Sequence, residues 1–196
     1  AYTALGFFET GFQQFEVDRR EVLDGDLMWY WRPLDDQWEP INHVASVGRA
    51  LIPAYKITGD PTYARRIEEI IAVFEATLTW HEDGTVSWTY SPVFQTPTAR
   101  SAVDQMASEY TWKGSITLPF LFEAEEAGFA FSPGVLEGIE QLVTGYILAD
   151  AEWKLNIHPE GAVPLQERHY DNLDGALGGY HMSFPTDPVV RALVLD

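Results

Sequence analysis

INHVASVGRALIPAYKITGDPTYARRIEEIIAVFEATL, residues 41–78, contains two amphipathic helical patterns and the turn between them. In the first, Val44, Val47, Leu51 and Tyr55 recur three or four residues apart and make one apolar stripe. Gly59 ends that pattern, because glycine readily takes the left-handed conformation that closes a helix. Asp60-Pro61 opens the next, with aspartate as the cap and proline at the first helical position, where its missing N–H is harmless. The second helix places Ile67, Ile70, Ile71, Phe74 and Leu78 on one face.

The same syntax returns in SEYTWKGSITLPFLFEAEEAG, residues 108–128. Val103, Met106, Tyr110, Thr117 and Leu121 fall on one side, and Gly128 is the stop. Ser132-Pro133 then opens a helix bearing Leu136, Ile139, Leu142, Val143 and Tyr146. Both leading helices hold a glycine five residues before a proline, Gly48 and Pro53, then Gly114 and Pro119. A proline inside a helix costs about 3 kcal/mol unless a kink is accommodated. Its return at one relative position points to two copies of one unit. A third start signal, Asp187-Pro188, precedes VVRALVLD.

The fold expected from these signals is all-α: repeated helical hairpins forming part of an α/α toroid. Short β-hairpins are expected in the connecting segments, around Asp83-Gly84 in WHEDGTVSWTY and around Asp24-Gly25. The chain divides, as one domain over 1–196, into an irregular or β-hairpin segment (1–40), two helical hairpins (41–148), and an irregular segment with a short C-terminal helix (149–196). A repeat array leaves its last apolar face uncovered, so a second copy or a continuation of the array is the expected protein partner.

Composition narrows the function. Thirty acidic residues face twelve basic ones, a formal charge of −18, and only Lys56, Lys113 and Lys154 are lysines. Nucleic-acid binding is not expected, because it draws on clustered Lys and Arg. No apolar run approaches the roughly 18 residues of a membrane span. The absence of cysteine removes disulfides, thiolate metal sites and thiol nucleophiles together. An acidic, lysine-poor chain suits an extracellular or periplasmic setting.

Chemistry concentrates at the helix starts. Asn42-His43 opens the first leading helix, and Ser108-Glu109 lies at the same distance before the glycine of the second. If equivalent starts share a mouth, His43 and Glu109 would supply a base and an acid. Trp29, Tyr30, Trp31, Trp38, Trp80, Trp88, Tyr90, Tyr110 and Trp112 cluster just before or within the same starts, and indole and phenol rings stack on the apolar faces of sugars. Each is equally a candidate core aromatic. His158, His169 and His181 fall in the irregular C-terminal part, near a DNLDG run (171–175) that lacks the distal glutamate of a calcium loop. No metal or cofactor is expected.

The order of Asn42-His43, Asp60-Pro61, Trp88-x-Tyr90 and Glu109-Tyr110 resembles parts of α/α-toroid carbohydrate-active proteins, especially alginate-lyase-like polysaccharide lyases, over residues 29–146. The resemblance implies β-elimination at a uronate: Asn42 neutralises the sugar carboxylate, while His43 and Tyr90 or Tyr110 move protons. Two departures weaken it. Related toroids often have a histidine after an acidic pair at the second start, where this chain has Glu109-Tyr110, and the chain is short for a complete ring. A polyuronate is also an anion, so a local basic lining is required, from Arg32, Arg49, Arg100 or Lys113. A neutral glycan handled by two carboxylates would avoid the repulsion. The expected function is therefore glycan processing, as lyase or hydrolase, or glycan binding. Catalysis would draw on Asn42, His43, Tyr90, Glu109 and Tyr110, and binding on Trp31, Arg49, Trp88 and Trp112. The rival class is a non-catalytic extracellular structural or assembly subunit.

Overall fold

A computed structural model describes residues 2–22, 27–33, 36–92 and 109–147. Its elements are α1 (Tyr2–Glu16), β1 (Arg19–Val22), β2 (Leu27–Arg32), β3 (Gln37–Trp38), α2 (Ile41–Thr58), α3 (Pro61–Glu75), β4 (Leu78–Trp80), β5 (Val86–Trp88), α4 (Thr111–Glu126) and α5 (Val135–Leu142), with a π-helical turn at Val143–Ile147. The turn between α2 and α3 follows from its residues. Gly59 has φ +69°, and its N–H donates to the Tyr55 carbonyl at 2.8 Å. The Asp60 carboxylate accepts from the Thr62 N–H at 2.8 Å, and Pro61 begins α3.

The architecture is mixed α and β, which corrects the all-α expectation, and the described residues show no toroid. The described residues hold five α-helices and two antiparallel sheets, ordered β1-β2-β3 and β4-β5. The sheets are part of the core: Trp29 and Tyr30 of β2, Trp38 of β3, and Val86 and Trp88 of β5 are buried beside the helices. In β1-β2 the register runs from Arg19 opposite Tyr30 to Val22 opposite Leu27. The turn at 23–26, including Asp24-Gly25, lies outside the described residues. In β4-β5 Leu78 faces Trp88 and Trp80 faces Val86. Gly84, at φ +86°, shapes that turn, and Asp83 Oδ1 accepts from the Thr85 N–H and hydroxyl. Leu78 therefore belongs to a strand, since α3 ends at Glu75.

Two further differences have clear causes. Residues 1–40 include the fifteen-residue helix α1. Phe8, Phe12 and Phe15 recur at helical spacing; the first two meet the Tyr63 ring edge-on, and Phe15 stacks on Tyr30 with centroids 4.0 Å apart. That packing outweighs the cost of Gly6 and Gly11 in a helix. The second hairpin also departs from the first. α2 packs on α3 and on α4, but α5 lies mainly against β5. A Cβ on Gly138 would sit 2.6 Å from Val86 Cγ2 and 2.8 Å from the Gly84 carbonyl oxygen, so the bare glycine permits this contact. Nor is Ser132-Pro133 the start of α5. Gly134 is the cap, at φ +83°, and Ser132 instead donates its N–H and hydroxyl to Glu75 at 2.6 and 2.8 Å.

Glycine also sets the α2–α4 contact. The Phe120 ring of α4 lies so close to Gly48 of α2 that an added Cβ would fall 2.4 Å from its Cε2. A charge network ties α1, β1, β2 and α3 together. Glu16 accepts from Tyr30 Oη at 2.7 Å and from Arg66 Nε at 2.7 Å, while Glu69 pairs with Arg66 and Arg19. Burial first, then Glu16, holds the Tyr30 phenol far above its ordinary pKa. No helix among the described residues is long and apolar enough to cross a membrane. Arg100, Val103, Met106, His158, His169, His181, the 171–175 run and the segment opened by Asp187-Pro188 lie outside the described residues.

Candidate functional site

Three chain segments converge where β5 ends. The Tyr90 carbonyl accepts the Ile41 N–H at 3.0 Å, which fixes the start of α2 beside the strand exit. The Glu109 N–H returns to the Trp88 carbonyl at 3.3 Å, and Tyr110 then caps α4. Asn42, Trp88, Tyr90, Glu109 and Tyr110 are thereby gathered at one junction, although 48 residues separate Ile41 from Thr89 along the chain.

Glu109 is the centre of it and is 0% exposed. Its Oε2 accepts from Trp88 Nε1 at 2.7 Å and from Thr117 Oγ1 at 2.8 Å. Its Oε1 is buried without a hydrogen-bond partner, and so is Oδ1 of the buried Asn42. Burial pushes the carboxyl up from 4.5 to about 7. The bonds from Thr117 and Trp88, the charge of Lys113 and the Asn42 N–H pull the other way without overcoming it. A carboxyl in that condition can hold or release a proton near neutrality.

The outer layer is aromatic and cationic. Lys113 Nζ lies 3.6 Å from the centroid of the Tyr90 ring and 5.4 Å from that of Tyr110. Such geometry is a cation–π contact. Tyr90, Tyr110 and Lys113 are all partly exposed, so this layer faces outward while Asn42, Trp88 and Glu109 sit behind it.

Three of the other anticipated residues, His43, Arg49 and Trp31, are placed elsewhere. His43 has its side chain 51% exposed and pairs through Nδ1 with Glu39 at 2.8 Å, whereas Glu109 opens onto no surface. The cause is helix phase. α2 begins seven residues before Gly48, but α4 begins only three before Gly114, so Glu109 precedes its helix while His43 lies within one. Arg49 is engaged by Glu123 of α4, through Nε at 3.0 Å and Nη2 at 2.6 Å. Trp31 meets Trp38 edge-on, with centroids 4.9 Å apart. Trp88 is fully buried and holds Glu109 rather than facing a ligand. Trp112 lies in the first turn of α4, and its side chain is outside the described set.

Thr117 is the functional residue that sequence reasoning missed, having been counted as part of an apolar stripe. The signal was present: a hydroxyl on an otherwise apolar face needs a partner, and the acid near that helix start is one. Among the described residues no group of three or more His, Cys, Asp or Glu is placed to hold a metal ion. Comparison of the chain with protein-family models and with curated proteins finds no match.

Proposed function

We propose that the chain handles glycans, with Tyr90, Tyr110 and Lys113 as the sugar-facing layer and with Asn42 and Glu109 supporting it from behind. The observation that favours this is the Lys113 ammonium set over two partly exposed tyrosine rings. The rings offer faces for sugar C–H groups, and the ammonium offers a counter-charge on a molecule of net charge −18. Among the described basic residues, Lys113 lies against the Tyr90 and Tyr110 rings. An anionic glycan is therefore the favoured ligand class, in an extracellular or periplasmic setting.

A panel of neutral and anionic polysaccharides, read for retention, for new reducing ends and for absorbance of unsaturated uronates, tests the reading. An anionic glycan should be retained by the parent chain, less by Lys113→Met, and least by Tyr90→Ala. Unsaturated product would identify a lyase and reducing ends alone a hydrolase. Retention of no polysaccharide rejects the proposal.

The second reading, a non-catalytic subunit, is favoured by one surface. A groove of about 350 Å³ between α1 and α2 is lined by Phe7, Phe8, Phe12, Phe15 and Val47, and Phe7 is 77% exposed. Exposed apolar grooves of this kind mark association sites. Concentration-dependent sedimentation of the full chain, abolished by Phe7→Ser, would support it over glycan handling.

A further inference from the structure

The Glu109 corner contains an imbalance that the glycan reading does not use. Oε2 receives two donors, from Trp88 and Thr117. Oε1 and Asn42 Oδ1 are two enclosed acceptors without a hydrogen-bond partner, although the Asn42 backbone N–H lies near enough to the carboxyl to favour its charged form. Enclosed acceptors require a hydrogen. The groups around Glu109 are Asn42 from α2, Trp88 from β5, and Thr117 and Lys113 from α4. His43, one residue from Asn42, is turned away to Glu39. Tyr90 and Tyr110 are the further titratable groups of the junction, and both lie toward Lys113 in the outer layer. Lys113 is the charged neighbour that acts on Glu109, and it favours the ionised form.

We propose that Glu109 is stored as the neutral acid with its proton on Oε1, serving the orphaned acceptors, and that this proton is a latch holding the starts of α2 and α4 against β5. The division of labour between the oxygens follows from hydrogen-bond chemistry. Oε2, with two donors, is the carbonyl oxygen of the acid; Oε1 is its hydroxyl. Loss of the proton leaves a carboxylate and the Asn42 carbonyl oxygen as two enclosed acceptors with too few donors for both. The junction then loosens, and the Tyr90–Tyr110–Lys113 layer, which is built on the two helix starts, loses its fixed spacing. The latch does not depend on glycans being the ligand.

The test is carboxyl-carbon NMR of the full chain labelled with ¹³C-glutamate, followed across pH. Ordinary glutamates titrate near about pH 4.3, so one resonance should remain in the protonated position past about pH 6 and titrate close to neutrality. That resonance should be missing in Glu109→Gln, whose amide supplies a permanent donor. It should move to higher pH in Thr117→Val, which loses a bond that favours the charged form; this second variant identifies the resonance if the first fails to fold. Amide exchange at the first turn of α4 should quicken above the transition in the parent and stay constant in Glu109→Gln. A chain in which every glutamate is ionised by about pH 6, or in which exchange in α4 ignores the transition, overturns the proposal.

Discussion

Gly48→Ala is a change of one methyl group at the closest approach of α2 and α4. The new Cβ would stand 2.4, 2.7 and 3.0 Å from Cε2, Cδ2 and Cζ of Phe120. Carbon atoms pack best at about 3.5–4.0 Å, so the ring must retreat by about 1 Å. Phe120 is buried and has little room to do so. Overpacking of this kind costs about 1–3 kcal/mol. Against it stands the gain of about 1 kcal/mol when alanine replaces glycine inside a helix. At a 2.4 Å approach to a buried ring the overpacking cost falls in the upper part of that range, about 2–3 kcal/mol, so the net expectation is a loss of about 1–2 kcal/mol, which for a chain of this size lowers Tm by roughly 2–8 °C. Urea and thermal unfolding followed by circular dichroism would measure it. Phe120→Leu, which clears the space, should be destabilising alone yet partly rescue Gly48→Ala, with a coupling of roughly 1 kcal/mol in the double-mutant cycle. A Gly48→Ala chain as stable as its parent, or a cycle additive within about 0.5 kcal/mol, would falsify the packing argument.

Arg66→Met should cost roughly 1–2 kcal/mol, because Glu16 and Glu69 lose one of the two cations they share; Arg19 stays beside both, and both acids remain about a fifth exposed. Adding Glu16→Gln and Glu69→Gln should recover much of the loss, and denaturant unfolding that shows no recovery refutes the network account. The pH dependence has a definite sign. The folded chain keeps the Glu109 proton up to about 7 while the unfolded chain releases it near 4.5, so stability is greatest at the acid end of that window and falls as pH rises through it. The gap corresponds to at most about 3 kcal/mol, and Glu109→Gln should remove that component of the slope in a urea series across pH.

Helix ends were legible where a single residue dictates backbone shape. Gly59 and Asp60-Pro61 fall where their chemistry puts them, because the left-handed turn and the aspartate cap are local. Failures came where distant packing decides. Ser132-Pro133 has the composition of a cap, but Glu75 from α3 claims both Ser132 donors. The helix α1 was not expected in residues 1–40, and Tyr63 and Tyr30 stabilise it from elsewhere in the chain. The hairpins flanking Asp24-Gly25 and Asp83-Gly84 are legible from their turns, but the added strand β3 is two residues long, and the burial of Trp29 and Trp38 in the core is visible only in three dimensions. At the site, Asn42, Tyr90, Glu109 and Tyr110 were picked from the sequence and do meet. The paired spacing of Gly48-Pro53 and Gly114-Pro119 misled for His43, since a shared glycine–proline interval does not fix where each helix begins. Trp31 and Trp88 look alike in sequence; only the bond from Trp88 to Glu109 assigns that indole a structural place.

That bond has a spectroscopic consequence. An indole whose N–H points at an ionisable oxygen 2.7 Å away feels the oxygen's charge across its excited-state dipole. Ionisation of Glu109 would therefore shift and rescale the Trp88 emission without any foreign dye. The chain has seven tryptophans, so the signal is the difference between the parent and Trp88→Phe. Time-resolved emission after a rapid pH jump would then report when the buried proton leaves, on the nanosecond-to-second scale that equilibrium titration averages away. In effect the fold contains a fluorophore wired to a fully buried acid.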